Sequence, residues 1–204
     1  MHMSELRARQ RAVARQTIVD ACADLVTERR HLDFSMKEVA TRAGVSLRTV
    51  YNHFATREEL LDDLGRLFDE RMAGVGGASS SEVSTRADLL DAVRRNLSAF
   101  EQLGGISEAF AQLPLADVGV DPDRAVRTER IVGVMTDLMP SVPPDEARTI
   151  ALVLRHLLSH RSWFWLTHEY GLSTEDATAV VTWAMETLID AAEAGDGPVL
   201  REDR

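Results

Sequence analysis

Between Ser35 and Glu59 the chain marks helix starts and stops so densely that little other structure is left open to it. Ser35-Met36-Lys37-Glu38 is a capping box: a short hydroxyl at the N-cap, and a glutamate three residues on that can reach back to the cap amide. Val39, Ala40 and Ala43 give this helix an apolar inner face. Gly44 ends it, because glycine takes the left-handed conformation of a C-cap without a steric penalty. Ser46 can cap a third helix running to about Phe54, and Thr56-Arg57-Glu58-Glu59 is another capping box, opening a fourth helix that reaches about Gly74.

The rest of the chain follows the same period. No run alternates apolar and polar residues as a half-buried strand must. A first helix is expected from about Arg11 to Thr27, where Val13, Thr17, Ala21 and Leu25 sit four apart with Ile18 beside them. Residues 74–85 (GVGGASSSEVST) read as a linker, since their glycines and serines oppose helix and core alike. Further helices are expected near 86–102, 106–113, 122–139, 144–169 and 174–194, with Asp121 as an N-cap before Pro122. Pro140, Pro143 and Pro144 separate two of them. The fold class is therefore all-α.

Charge is divided unevenly along this helical chain. Its 33 acidic and 23 basic residues give a formal charge of −10, which would keep a uniform surface away from nucleic acid. Residues 1–57, however, carry ten Lys/Arg against six Asp/Glu, and the remainder thirteen against twenty-seven. A basic end thus sits on an acidic body. Arg7, Arg9, Arg11 and Arg15 cluster at the start of the first helix, where the macrodipole favours acids, so helix stability does not account for them. The single cysteine, Cys22, excludes an intrachain disulfide and suits a reducing, cytoplasmic compartment. No apolar run approaches the roughly 18–20 residues of a membrane span. No apolar h-region follows the N-terminal arginines, and Met1-His2-Met3 reads as a cloning remnant.

The second and third helices, joined by a glycine turn, have the arrangement of a helix-turn-helix. On a wheel of about 100° per residue, Val50 and Phe54 fall together with Leu47 near them, while Arg48 and Asn52 lie opposite, flanked by Thr49 and Tyr51. The outer face is polar and suited to base edges, since Arg can bond guanine bidentately and Asn can do so with adenine. Lys37, His53 and Arg57 border it, where phosphates would pass. The bland alternative is a solvated face on a small bundle.

Residues 34–61, from Phe34 to Leu61, resemble the DNA-binding signature of TetR-type transcriptional regulators. The resemblance rests on the Ala-Gly-Val-Ser turn, on Thr49-Val50-Tyr51 followed by His53-Phe54, and on a basic residue before Glu-Glu-Leu. It covers about the first 70 residues. It implies a helix-turn-helix DNA-binding domain over 1–56 and a helical ligand-binding and dimerisation domain over 57–204, with 57–74 as connecting helix. It also implies a homodimer on a pseudo-palindromic double-stranded operator, repressing until a small molecule binds. By position, Leu47, Arg48, Thr49, Tyr51 and Asn52 would face the major groove, with Ser46 at the start of the same helix. Lys37, Tyr51, His53 and Arg57 would hold phosphates. Arg48 stands where the family often has a small residue, and Arg57 where it often has lysine.

Candidates in the second domain come from spacing. Phe100, Phe110, Met135, Met139, His156, His160, Trp163 and Phe164 are candidate pocket residues for a small, largely apolar effector. Leu154, Leu158 and Trp165 can face a stripe of Ala177, Val181, Ala184 and Leu188 to make a dimer interface, the alternative being that the stripe packs within its own chain. His156 and His160 have metal-ligand spacing, but Arg155 and Arg161 disfavour a cation, so no metal is expected. No Ser-His-Asp order, phosphate loop or metal signature supports an enzyme, and no cofactor is expected. The competing functional class is a helical ligand- or partner-binding protein without operator binding.

Overall fold

The capping residues take up their places as helix ends in the computed structural model, which describes residues 2–112 and 122–198 and, among these, shows helices and no strand. The helices are α1 (His2–Arg29), α2 (Met36–Arg42), α3 (Leu47–His53), α4 (Arg57–Gly74), α5 (Arg86–Leu103), α6 (Gly105–Ala111), α7 (Pro122–Asp137), α8 (Pro144–Leu157), α9 (His160–Phe164) and α10 (Thr174–Glu193). A 3-10 turn spans Ser80–Glu82 and a π-helical turn Trp165–Glu169. The expected Asp121 cap lies outside the described residues. By packing, the chain divides into a first unit of residues 2–71 with 104–112 and a second of 72–103 with 122–198.

In the first unit, Ile18, Cys22 and Val26 of α1 are buried, as are Val39 and Ala40 of α2, Val50 of α3 and Leu60 and Leu64 of α4, and α2 packs on both α1 and α3. The Ser35 hydroxyl accepts from the Glu38 amide at 3.2 Å, and the Glu38 carboxylate accepts from the Ser35 amide at 2.8 Å, completing the capping box. Gly44 has φ 67°; its amide donates to Thr41 O at 3.2 Å and that of Val45 to Ala40 O at 3.0 Å. This is the Schellman pattern the glycine was expected to allow. The α6 backbone runs close against α1 at Gly105, where any Cβ would collide with the Thr27 carbonyl. Arg30, just past α1, pairs with the buried Glu108 of α6 at 3.3 Å. Burial pushes the Cys22 thiol up to about 12, so it is an inert packing residue, not a nucleophile. Expected and observed structure part at the start of α1. The helix begins well before Arg11, and Val13 is 60% exposed rather than part of the inner face.

In the second unit, Leu89, Val93, Leu97 and Phe100 of α5 are buried, as are Ala147, Ile150 and Leu154 of α8 and Ala177, Val181, Met185 and Ile189 of α10. α10 packs on both α5 and α8. Leu154, Ala177 and Val181 therefore fill the chain's own core and are not available to a partner, which corrects their assignment to a dimer interface. The stripe on α10 has two sides, and its neighbours within the chain take one of them. Ala184 is half-buried, while Leu188, with Val180 and Trp183, stays exposed. Leu158 is half-buried and Trp165 exposed.

Two further expectations are corrected here. The segment 74–85 is not a loose linker: Arg95 donates to Gly76 O at 2.7 Å and pairs with Glu82 at 2.7 Å, and the Ala78 amide donates to Asn96 Oδ1 at 2.8 Å. One long helix over 144–169 is also not formed. Ser159 adopts an extended ψ of 152°, and its hydroxyl accepts from the Ser162 amide at 3.2 Å, capping a new helix. His156 and His160 consequently lie on different helices, so their four-residue spacing no longer puts them on one face.

Candidate nucleic-acid interface

The outward face of α3 is prepared from behind. Ser46 at the N-cap accepts from the Thr49 amide at 3.0 Å, and the two hydroxyls of Ser46 and Thr49 are 2.8 Å apart. Val50 and Phe54 are fully buried and anchor the helix. That leaves Leu47, Arg48, Tyr51 and Asn52 exposed together. Such a face offers guanidinium and amide donors for base edges, and at Leu47 and Tyr51 apolar surface of the kind that meets a thymine methyl. Thr49 is half-buried, with its hydroxyl engaged at the cap. Leu47, placed near the inward face by the wheel, is 39% exposed at the first position of α3.

Two arginines of α1 complete the other end of α3. Arg15 donates to His53 O at 2.6 Å, pairs with Asp63 at 2.6 Å, and lies 4.1 Å from the centre of the Phe54 ring. Arg11 reaches Asn52 O at 3.5 Å. The last carbonyls of a helix have no intrahelical partner, and these guanidinium groups supply one. Burial, and then the charges of Arg11 and Arg15, lower the pKa of His53. Its imidazole is therefore neutral at pH 7, with one ring N–H to donate. Spacing on α3 alone could not identify Arg11 and Arg15. The signal was the arginine cluster at the start of the first helix, whose purpose the helix itself did not explain.

Lys37 stands exposed in the first turn of α2. Its neighbour Glu38 is fully engaged: the hydrogen bond from Arg29 at 2.6 Å, followed by those from Ser35, holds its carboxyl down at about 2. Arg42 grips Glu28 through both guanidinium nitrogens. These pairs tie α2 to α1 across exposed surface. Arg57 behaves differently from a phosphate-seeking side chain. It is half-buried, donates to the carbonyls of Leu32 and Phe34, and lies 4.7 Å from the centre of the Phe34 ring. Its donors are turned toward the loop between α1 and α2.

Of the expected pocket residues, the structure brings Phe100, His160 and Trp163 into contact and places others apart. Phe110 belongs to the first unit, where its ring is 4.9 Å from that of Phe68. In the second unit, Phe100 contacts His160 and Trp163, Phe164 stacks on His168 at 4.7 Å, and His156 is exposed. Met139 is buried. Only Met135 of the set lines the small cavity of about 80 Å³ that also touches Leu89, Ala92, Asn96 and Leu158. Known ligand pockets are several times larger. Among the described residues, no three His, Cys, Asp or Glu side chains gather as a metal site.

Residues 18–64 match the family model of bacterial regulatory proteins, tetR family. Over 171 residues the chain is 26% identical to the HTH-type transcriptional activator FasR of Mycolicibacterium smegmatis, covering 80% of this chain and 77% of that protein. A crystal structure of a transcriptional regulator from a Rhodococcus species superposes with a TM-score of 0.65 at 20% identity, over 88% of this chain and 97% of that one. NalD of Pseudomonas aeruginosa, the secondary repressor of a multidrug efflux pump, superposes at 0.62 with 13% identity, over 88% and 96%. At these identities the two structures show a shared fold.

Proposed function

We propose that this chain, whose residues 18–64 match the family model of bacterial regulatory proteins, tetR family, is a ligand-responsive regulator that binds a pseudo-palindromic operator as a homodimer and is released by a small molecule. The observation that carries this reading is the exposed face of α3, with Arg48 and Asn52 set on a buried anchor of Val50 and Phe54. In this reading residues 1–56 bind DNA and residues 57–204 bind effector and partner. Arg48 and Asn52 read bases, and Lys37, Tyr51 and His53 hold phosphates. Arg57 acts chiefly as a brace for the loop it is bonded to. By name FasR is an activator and NalD a repressor, so the architecture serves either direction of control.

The dimer is proposed to use the side of α10 that the core leaves free. Val180, Trp183 and Leu188 are exposed there, as are Leu152 and Val153 on α8. Large exposed apolar residues on neighbouring helix faces are what an isologous helical interface requires. The effector is proposed to be small and largely apolar, and to enter the second unit by enlarging the cavity beside Asn96 and Met135. No helix among the described residues is long and apolar enough to cross a membrane, which is compatible with a cytoplasmic site of action.

The test is a titration of the purified protein against the intergenic duplex beside its own gene, with a scrambled duplex as control, at moderate salt. Selective binding that weakens steeply as salt rises is expected. A dimer without affinity for any duplex at low salt would overturn the reading and leave a helical ligand-binding protein.

A further inference from the structure

We propose that the exposed start of α1 is a second DNA-contacting element, in which Arg7 binds the phosphate backbone beside the groove that α3 reads. This rests on the operator-binding reading above.

The first observation is burial. Residues 5–13 of α1 are exposed around the whole circumference of the helix, and the buried stretch begins only at Ile18. Ordering these turns costs conformational entropy that no buried surface returns. They are helical because Ala, Gln and Arg are good helix formers and because the packed part of α1 already supplies the nucleus. Packing gives them no purpose.

The second observation is charge. Arg7, Arg9 and Arg11 lie in this stretch, within the basic part of the chain, where residues 1–57 carry ten Lys/Arg against six Asp/Glu. Exposed guanidinium groups on turns that bury nothing are suited to an anionic partner such as a phosphate, provided they face it.

The third observation sets direction. Arg7, Arg11 and Arg15 are four apart and form one row, drifting by about 40° at each step. Two members of the row are fixed: Arg15 donates to His53 O, and Arg11 reaches Asn52 O. The row therefore passes the C-terminal end of α3, at the residue whose exposed side chain is proposed to read a base. Arg7 continues it one turn further, about 6 Å along the axis from Arg11. A helix placed in a major groove is walled by phosphates, and a row of guanidinium groups leaving its end runs onto that wall. Arg9 points about 160° away from the row and is a control built into the same helix.

The experiment compares Arg7→Ala with Arg9→Ala, each in the full chain. Binding is followed by fluorescence anisotropy over a salt series. Two duplexes of equal length serve as probes, one from upstream of the protein's own gene and one of random sequence. Arg7→Ala is expected to weaken both several-fold and to lower the slope of log affinity against log salt by about 1 per protomer. Arg9→Ala should match the parent chain, and neither should shift thermal unfolding. A parent-like slope for Arg7→Ala, or equal losses for both variants, would overturn this inference while leaving operator binding intact. If the parent chain binds neither duplex at low salt, the inference and the operator-binding reading both fall.

Discussion

In the first unit the exposed large apolar residues are confined to the free start of α1 and to α3, where Leu47 and Tyr51 stand beside Arg48 and Asn52. In the second unit they lie on α7, α8, the π-helical turn with Tyr170 at its end, and α10, and include Trp165 and Trp183. α10 contains no Lys or Arg at all. One exposed face thus mixes cation, amide and ring edge, whereas that of α10 is apolar and, where charged, acidic. The first suits a polyanion with readable edges and the second suits another apolar protein surface. Exposure alone does not separate an operator from a partner subunit; the charge placed next to the exposed apolar group does.

The largest blow to this contrast comes from removing the support of the polar face. Phe54→Ala should cost about 3–5 kcal/mol, since the ring is fully buried under Arg15. Chemical denaturation would read the loss, and duplex binding should go with it. On the apolar face, Trp183→Glu should weaken self-association by about 2 kcal/mol or more, roughly thirtyfold, as a shift toward monomer in sedimentation velocity. A chain that stays dimeric after this change has its interface elsewhere.

Smaller changes divide the first unit's own surface into bracing and reading groups. Arg57→Ala should destabilise the fold by about 1–3 kcal/mol through the two carbonyls it leaves, measured by urea midpoint. Unchanged stability with uniformly weaker duplex binding would instead make Arg57 a phosphate ligand. Arg48→Ala should leave stability alone and cost about 1–3 kcal/mol of affinity at particular bases of the operator, read by a panel of single-base variants. Equal loss on all sequences would move Arg48 from reading to positioning.

The smallest expected effect is a pH dependence. Burial, with Arg11 and Arg15, lowers the His53 pKa from its ordinary 6.5, so over a window below that value the unfolded chain holds a proton that the folded chain does not. Stability from this source is complete above about 6.5 and is lost as pH falls from there through the lowered value. His53→Gln should remove that part of the acid sensitivity in urea titrations at pH 7 and pH 5. An unchanged difference between the two would assign the sensitivity to other groups.

The helix ends around α2 and α3 were legible without coordinates. A cap is settled by residues within four positions of one another, so Ser35 with Glu38, Gly44, and Ser46 can be read in a line of text. The opposition of Val50 and Phe54 to Arg48 and Asn52 is equally local, since it follows from the helical period. What lay beyond reach was the identity of the neighbour. Periodicity grouped Ala177, Val181, Ala184 and Leu188 into one stripe, and only packing against α5 and α8 decided that two of them are covered within the chain. The charge of Arg57 suggested a phosphate, but the carbonyls it meets come from residues more than twenty positions earlier. Arg15 was visible only as an arginine without a reason, and tertiary contact with Phe54, His53 and Asp63 supplied one. A sequence determines which side chains share a face, because that depends on the backbone's own geometry. What covers the face depends on segments distant in the chain, and only the folded structure brings those together.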